Sequence, residues 1–404
     1  MTSKKRGLVT AIAALSAVAL FAIPKPIYAD SSSTTYQSVP NQPPAPQIPA
    51  VSAVLMDADN GQILYSKNMN ERRAPASTTK LMTMLLIAKS VQEHKDSWSE
   101  TVPVTPDAYK VAIEPDVSNA YLDPRKHYTL EQMMKYIAVL SANDATVAAA
   151  DKIGGDQQAF VAMMNQEAQK LGLTGTHYMN PDGLQETNHY TTAHDLAILA
   201  DHIVKDYPVI LNYTKLPSVT IVPGSPWPNT DELLGNYPGV DGLKTGYTDQ
   251  AGYCYVGTAE QHGVRLIAVV LGDNNIHQRF TDAATLLDYG YHQFSEQTPV
   301  KKGQSLTDTV AVKNGRQLKL SVVSENGLTV ALPNNTKGTT KVVGQSLTAP
   351  VKKGDVVGNL EYIVDGKTVA TTPVVAAADD PKANFVLHIW RSIGQWFSHL
   401  LHRL

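Results

Sequence analysis

An α+β fold follows from where two kinds of hydrophobic pattern fall along the chain. Strand-like runs open and close the region 51–297, helical patterns fill its middle, and strict alternation takes over after it. One mainly antiparallel sheet, with a helical region between its N- and C-terminal strands, is therefore expected, followed by a small all-β domain.

The elements support this in order. Val54-Leu55-Met56 and Ile63-Leu64-Tyr65 flank a polar segment ending in Asn60-Gly61, the pattern of a β-hairpin. From Ser77 to about Tyr207 the pattern is helical. Leu81 to Ala88 is apolar nearly all round, which places that helix inside a domain. Thr192, with Asp195 three residues on and Leu196-Ala197-Ile198 after it, reads as a capping box. Strands return at Tyr253–Thr258 and Val264–Leu271, joined at His262-Gly263, and Ala283–Tyr289 is a short helical pattern. Beyond Thr298, Leu318-Lys319-Leu320 and Leu328-Thr329-Val330 alternate, and Asp365-Gly366 marks a hairpin turn. No cluster of catalytic residue types occurs in 298–378, so that domain reads as a spacer or docking module.

The ends carry their own signals. Lys4, Lys5 and Arg6 precede an apolar run from Leu8 to Ile23, and Ala29 is a suitable small residue before a cleavage point, so 1–29 reads as a secretory signal peptide. Residues 30–50, rich in Ser, Thr, Pro and Gln, read as an extended linker. In 379–404, a linker leads into a helix. Phe385, Ile389, Ile393, Trp396, Phe397, Leu400 and Leu404 recur at three- and four-residue steps, with His388, Arg391, Gln395, His399, His402 and Arg403 on the other side. That segment is too polar to span a bilayer but suited to lie in its surface as a membrane anchor; a helix packed on the protein itself is the competing reading.

Composition narrows the class. With 404 residues, 43% hydrophobic and 18% charged, the chain can bury a sizeable core, and a net charge of −3 argues against a nucleic-acid binder. Cys254 is the only cysteine, so the chain has no internal disulfide; its setting in Ala251–Val256 suits a buried small hydrophobe better than a nucleophile. An exported chain held by its core alone fits a bacterial cell surface.

Three short motifs matter together. Ser77-Thr78-Thr79-Lys80 is an S-x-x-K, Ser141-Ala142-Asn143 an S-x-N, and Lys244-Thr245-Gly246 a K-T-G. Each alone is weak, and S-x-N recurs at Ser324-Glu325-Asn326. Their order and context give them weight: the first opens the most apolar helix, the second follows a helical segment, and the third precedes a strand hairpin. A serine hydroxyl needs a base to become a nucleophile. Lys80, one helical turn on, can reach back to Ser77, and desolvation together with Lys244 as a neighbouring cation would lower its pKa. At a helix N-terminus the Ser77 N–H is also one natural half of an oxyanion hole.

These motifs resemble the penicillin-binding protein and serine β-lactamase superfamily, and most closely its D-alanyl-D-alanine carboxypeptidases of low molecular weight. Further matching segments are Asp57 to Tyr65, Ala74-Pro75-Ala76, Asn180-Pro181-Asp182-Gly183-Leu184, Asp241-Gly242-Leu243 and Leu286-Leu287-Asp288-Tyr289-Gly290. The resemblance implies a β-lactamase/transpeptidase-like fold for 51–297. It implies Ser77 as nucleophile, Lys80 as general base and Ser141 as proton relay. Asn143 would bind the substrate's peptide carbonyl or side chain, and Lys244 and Thr245 its terminal carboxylate, with help from Arg279, for which a plain surface arginine is the competing reading. Gly246 belongs to the same motif, and the backbone N–H of Tyr247 would complete the oxyanion hole. The implied substrate is a peptidoglycan stem ending in D-Ala-D-Ala, with β-lactams as covalent inhibitors and no cofactor or metal. The implied place is the outer face of the bacterial cytoplasmic membrane. The chain departs from some relatives at Tyr247, where they have histidine, and at Thr230-Asp231, where they carry an arginine.

Three other readings compete. A serine β-lactamase would carry a deacylating glutamate, commonly in E-x-x-L-N, and no such segment lies between Ser141 and Lys244. A zinc peptidase could be imagined on His177, His189, His194 and Asp195, but no H-E-x-x-H is present. A catalytically silent wall-binding protein would have no need of the intact set of motif residues.

Overall fold

The computed structural model describes residues 34–37, 39–345, 347–387, 389–391 and 393; the expected signal segment 1–29 lies outside them. The first domain is built on five antiparallel strands: β1 (Ser52–Asp57), β2 (Gln62–Lys67), β3 (Val240–Thr248), β4 (Gly252–Gln261) and β5 (Val264–Asp273). Their order across the sheet is β2-β1-β5-β4-β3. The first and last segments of the domain thus pair directly, Val54 opposite Val269, while the helical region is looped out between β2 and β3. Both turns foreseen in the sequence form. Gly61 closes the first hairpin at φ 78°, and His262 and Gly263, at φ 55° and 84°, turn β4 into β5.

Both faces of this sheet are covered, which is why all of β1 is buried instead of alternating. Val54, Met56, Val256, Ile267 and Val269 face the helical region, and Leu55, Tyr255, Leu266 and Val270 face a second core. The helices that frame the site are α1 (Lys80–Gln92), α2 (Leu130–Leu140), α3 (Asn143–Gly154) and α4 (Ala193–Asp206); α5 (Gln278–Gln293) covers the opposite face. Lys80 to Ala88 of α1 are all buried, as its all-round apolar sequence requires. α5 is longer than the Ala283–Tyr289 pattern that announced it, because its first and last turns are polar.

Thr192 caps α4 by accepting from the Asp195 N–H at 3.0 Å, but only half of the expected capping box forms. The Asp195 carboxylate turns away to accept from the Gly175 N–H and the Thr176 hydroxyl. The full reciprocal box is at Thr129 and Gln132, opening α2.

α5 hands over directly to the strand Phe294–Val300, which pairs with Leu328–Pro333. The expected division after 297 falls inside that strand. Six strands that follow, with the N-terminal strand Thr35–Tyr36 as the seventh, make a sheet around Val310, Leu320, Val322, Leu360 and Val374, and Asp365-Gly366 forms its hairpin turn at φ 49° and 76°. The segment expected as a linker is extended but tied down over its described part. Thr35–Tyr36 adds an edge strand opposite Thr371 and Ala370, Val39 enters the β-domain core, and Ile48 and Ala50 enter the first domain. Proline-rich composition prevents a helix; it does not prevent edge pairing where the N–H groups needed are not prolines. Gln62 joins the two domains, its side-chain amide exchanging hydrogen bonds with the Ala331 N–H and C=O.

After Ala376 the chain returns to the β-domain and becomes helical at Phe385. Phe385, Ile389 and Ile393 are exposed, whereas Arg391 donates to the carbonyls of Gly315 and Arg316 at 2.8 Å each. Trp396, Phe397, Leu400 and Leu404 lie outside the described residues. Among the described residues, no helix is long and apolar enough to cross a membrane.

Candidate active site

The three motifs converge where the first turn before α1 meets the edge strand β3. Ser77 does not open α1 itself. It sits in a 3-10 turn, Ala76–Thr79, and α1 begins at Lys80. Ala76 holds a left-handed backbone, φ 48°, which is costly for a residue with a Cβ and turns the chain sharply just before Ser77. Two glycines press on that turn. A Cβ at Gly183 would lie 1.9 Å from the Ala76 carbonyl oxygen, and one at Gly246 would lie 3.0 Å from the Ser77 nitrogen. The glycine of the K-T-G is thus required by the close approach of β3 to the Ser77 amide.

Lys80 is fully buried and its Nζ has three partners: Ser77 Oγ at 3.0 Å, Asn143 Oδ1 at 2.7 Å and the Asp182 carbonyl at 2.6 Å. Two of these can only accept. A neutral amine gives its two N–H bonds to them and keeps its lone pair for the Ser77 hydroxyl. Burial pulls the Lys80 pKa down to about 8, opposed by the carboxylates of Asp182 and Asp144. The expected contribution of Lys244 to this shift is not what drives it. The repulsion is felt at Lys244, which complete burial, then Lys80 and then Arg279 drive well below the ordinary lysine range.

Ser141 caps α2 in a left-handed conformation, φ 60°, and its buried hydroxyl has no hydrogen-bond partner among the described residues. Asn143 opens α3 and is anchored by its N–H to the Ser118 carbonyl at 2.7 Å. Lys244 Nζ donates to the Thr245 carbonyl at 3.1 Å, and Thr245 Oγ1 lies 2.8 Å from Thr230 Oγ1. Arg279, far from being a surface group, is only 5% exposed; it donates to the Gly246 carbonyl and lies over the rings of Phe280 and Tyr253. Tyr247 is exposed, stacked on Tyr253 at 4.3 Å, with its hydroxyl on Asp249. Ser77, Ser141, Asn143, Thr245, Tyr247 and Arg279 all line one cleft of about 460 Å³. Lys80 and Lys244 lie beneath its floor.

Sequence reasoning left several working residues without a role. Asp182 supplies the third partner of Lys80 through its backbone, which no side-chain motif could reveal; the turn-forming Asn180–Leu184 segment was the available signal. Asp144, next to the S-x-N, accepts from the N–H groups of Ala120 and Leu122 and so holds the opposite wall of the cleft. Asp231, at the departure from relatives, is buried, pushed up to about 6 by that burial, and accepts from the Tyr255 hydroxyl.

The histidines of the zinc reading do other work. His189 bonds Thr79 through Nε2 at 2.9 Å, and burial lowers its pKa to about 4. His177 Nδ1 is 2.8 Å from the Asn188 carbonyl. Among the described residues, the side chains grouped closely enough to hold a metal are Asp57, Asp59 and Glu296, at the domain boundary. Cys254 is buried in β4, and burial raises its thiol to about 11.

Comparison with known proteins gives a consistent result. The D-alanyl-D-alanine carboxypeptidase family model matches residues 38–275, and that of the penicillin-binding protein 5 C-terminal domain matches 294–382. The D-alanyl-D-alanine carboxypeptidase DacF of Bacillus subtilis is 36% identical over 356 residues, 86% of this chain and 90% of that one. The crystal structure of penicillin-binding protein 5 from Haemophilus influenzae superposes with a TM-score of 0.78 at 31% identity, covering 84% of this chain and 99% of that one. Ampicillin-bound penicillin-binding protein D2 from Listeria monocytogenes gives a TM-score of 0.56 at 32% identity, over 62% of this chain and all of that one.

Two predictions follow from this geometry. If neutral Lys80 is the base, the rate of acylation by penicillin should rise about tenfold per pH unit below pH 8 and level off above it. The same depressed pKa makes the unfolded chain the better proton binder between about 8 and the ordinary lysine value of 10.5, so this group's contribution to stability rises with pH across that window. Stopped-flow acylation from pH 6 to 10 checks the first statement; a flat profile contradicts it. Separately, Gly183→Ala should displace Ala76 and cut acylation by about tenfold or more while the protein still unfolds cooperatively in urea.

Proposed function

The chain belongs to the D-alanyl-D-alanine carboxypeptidase family, and on that footing we propose that it removes the terminal D-alanine from peptidoglycan stem peptides through an acyl-enzyme on Ser77. The observation that carries this reading is the placement of Lys80 Nζ, 3.0 Å from Ser77 Oγ, with both of its other partners acceptors.

The stem peptide enters extended along β3, which is an edge of the sheet and so has backbone groups to offer an added strand. Its terminal carboxylate lies at Thr245 and Arg279, near buried Lys244. The arriving anion favours the charged form of Lys244, which its own surroundings penalise. Lys80 takes the Ser77 proton as the oxygen attacks the carbonyl of the penultimate D-alanine. The oxyanion is held by the N–H groups of Ser77 and Tyr247. When the tetrahedral adduct collapses, the C–N bond breaks and Ser141, whose hydroxyl has no competing partner among the described residues, relays the proton from Lys80 to the departing amine, which leaves Lys80 neutral again. Water then attacks the ester, Lys80 accepts its proton, and Ser77 is regenerated with the shortened peptide released. A β-lactam enters the same first step and leaves Ser77 acylated.

We place the enzyme at the outer face of the cytoplasmic membrane, exported by residues 1–29 and held peripherally by the helix beginning at Phe385. What supports the second point is the orientation of its described part, with Arg391 turned to the β-domain and Phe385, Ile389 and Ile393 outward.

Intact-protein mass spectrometry after incubation with penicillin should show one added mass, on the peptide containing Ser77. Ser77→Ala should abolish it, and Lys80→Ala should slow it by roughly 10²–10⁴-fold. Amidating the last D-alanine should suppress turnover far more than changes upstream, because the carboxylate site reads a chain end. Persistent labelling of Ser77→Ala would sink the serine mechanism. Truncation after Asn384 should free the protein from anionic vesicles in co-sedimentation and leave penicillin binding intact; if the truncated form pellets as well as the full chain, the helix is not the anchor.

A further inference from the structure

The catalytic cleft does not end at the strand that carries the K-T-G. Beyond it lies a polar groove of about 590 Å³, lined by Arg72, Gln185, Glu186, Asn188, Tyr190 and Gln250. The two cavities share Gln185, and on the strand side Thr248 and Asp249 of the cleft lead directly to Gln250 of the groove. From this continuity we propose that the groove is the subsite for the upstream part of the stem peptide, and that Arg72 recognises a carboxylate there. The inference rests on the carboxypeptidase reading of the cleft.

Direction fixes which part of the substrate arrives. With the terminal carboxylate at Thr245 and the reacting carbonyl at Ser77 beside Gly246, the rest of the peptide runs on past Tyr247 and Thr248. A strand advances about 3.3 Å per residue, as does an extended peptide laid along it. The residue next to the acyl D-alanine therefore passes Thr248 and Asp249, and the one before it reaches Gln250 and the groove.

The groove is suited to an anion at one point. Arg72 rests on the Tyr190 ring, its guanidinium carbon 4.5 Å from the ring centre, and no carboxylate partner for it occurs among the described residues. The neighbouring Arg73 is already paired, its Nη1 2.9 Å from Glu71. His189, driven down to about 4, adds no charge at neutral pH. Glu186 is the one acid lining the groove, exposed, and it opposes an incoming anion. A planar, pre-oriented guanidinium with free N–H groups matches the geometry of a carboxylate.

The test uses two synthetic pentapeptides, L-Ala-γ-D-Glu-L-Lys-D-Ala-D-Ala and its counterpart in which the free α-carboxylate of the glutamyl residue is a carboxamide. The intact protein should prefer the carboxylate form by about three- to tenfold in kcat/KM, expressed in KM. Arg72→Gln should remove the preference, Arg72→Lys should restore part of it, and Glu186→Gln should widen it. Penicillin labelling of Ser77, and D-alanine release from diacetyl-L-Lys-D-Ala-D-Ala, which stops short of the groove, should be unchanged in all three variants. Equal turnover of the two pentapeptides by the unaltered protein, or a preference that survives Arg72→Gln, overturns the subsite. Failure of the unaltered protein to label with penicillin or to release D-alanine from any of the peptides would instead overturn the carboxypeptidase reading beneath it.

Discussion

A lysine amine shut away from the solvent is the constraint on which the site depends. Lys80 reaches Ser77 from the first turn of a helix whose next eight residues are enclosed and, Thr83 apart, apolar, so the proton that makes lysine soluble is the one the fold disfavours. The surrounding acceptors complete the effect by giving each remaining N–H a fixed partner. Orientation and basicity thus come from the same act of burial. The carboxylates of Asp182 and Asp144 temper it, leaving the group poised between its two protonation states near neutral pH.

The rest of the first domain serves to hold that enclosure shut. A sheet covered on both faces lets the earliest and latest strands, β1 and β5, lie side by side at its centre, so the intervening helices close over α1 as one insertion. β3, displaced to the edge, comes so close to Ser77 that a Cβ at 246 would press on the Ser77 and Thr78 nitrogens. One surface is therefore rigid where the nucleophile sits and open where a peptide must pair.

How much of this was legible in the sequence depended on the range of the interaction. The hairpin at Asn60-Gly61, the enclosed helix from Leu81 and the turn at His262-Gly263 follow from neighbours along the chain, and the structure has all of them. The motif residues could be chosen because their chemistry needs particular side chains. The Asp182 carbonyl could not, since any residue type supplies a carbonyl; only the fold decides which one meets Lys80. Asp195 shows the same limit from the other side. Its spacing suited a capping box, but a nearer donor, the Gly175 N–H, claims its carboxylate. Residues 30–50 have the composition of a free linker, and the pairing of Thr35–Tyr36 within them depends on a strand edge more than three hundred residues away. That two cations lie close together can be inferred from the motifs, whereas which of them yields depends on their neighbours: carboxylates of Asp182 and Asp144 around Lys80, the cations Lys80 and Arg279 around Lys244.

The docked N-terminal arm has a mechanical consequence. The polypeptide crosses between the two domains twice, once through residues 37–48 and once where α5 meets the strand at Phe294. Bodies joined by a single strand of chain can swivel about it; bodies joined at two separated points resist torsion about any axis through only one of them. Gln62, bonded to Ala331, ties the β-domain to the first domain at a third point. Both the arm at Thr35 and the helix at Phe385 are bonded to the β-domain, so a pull at either place is applied first to that domain and not to the one that carries Ser77.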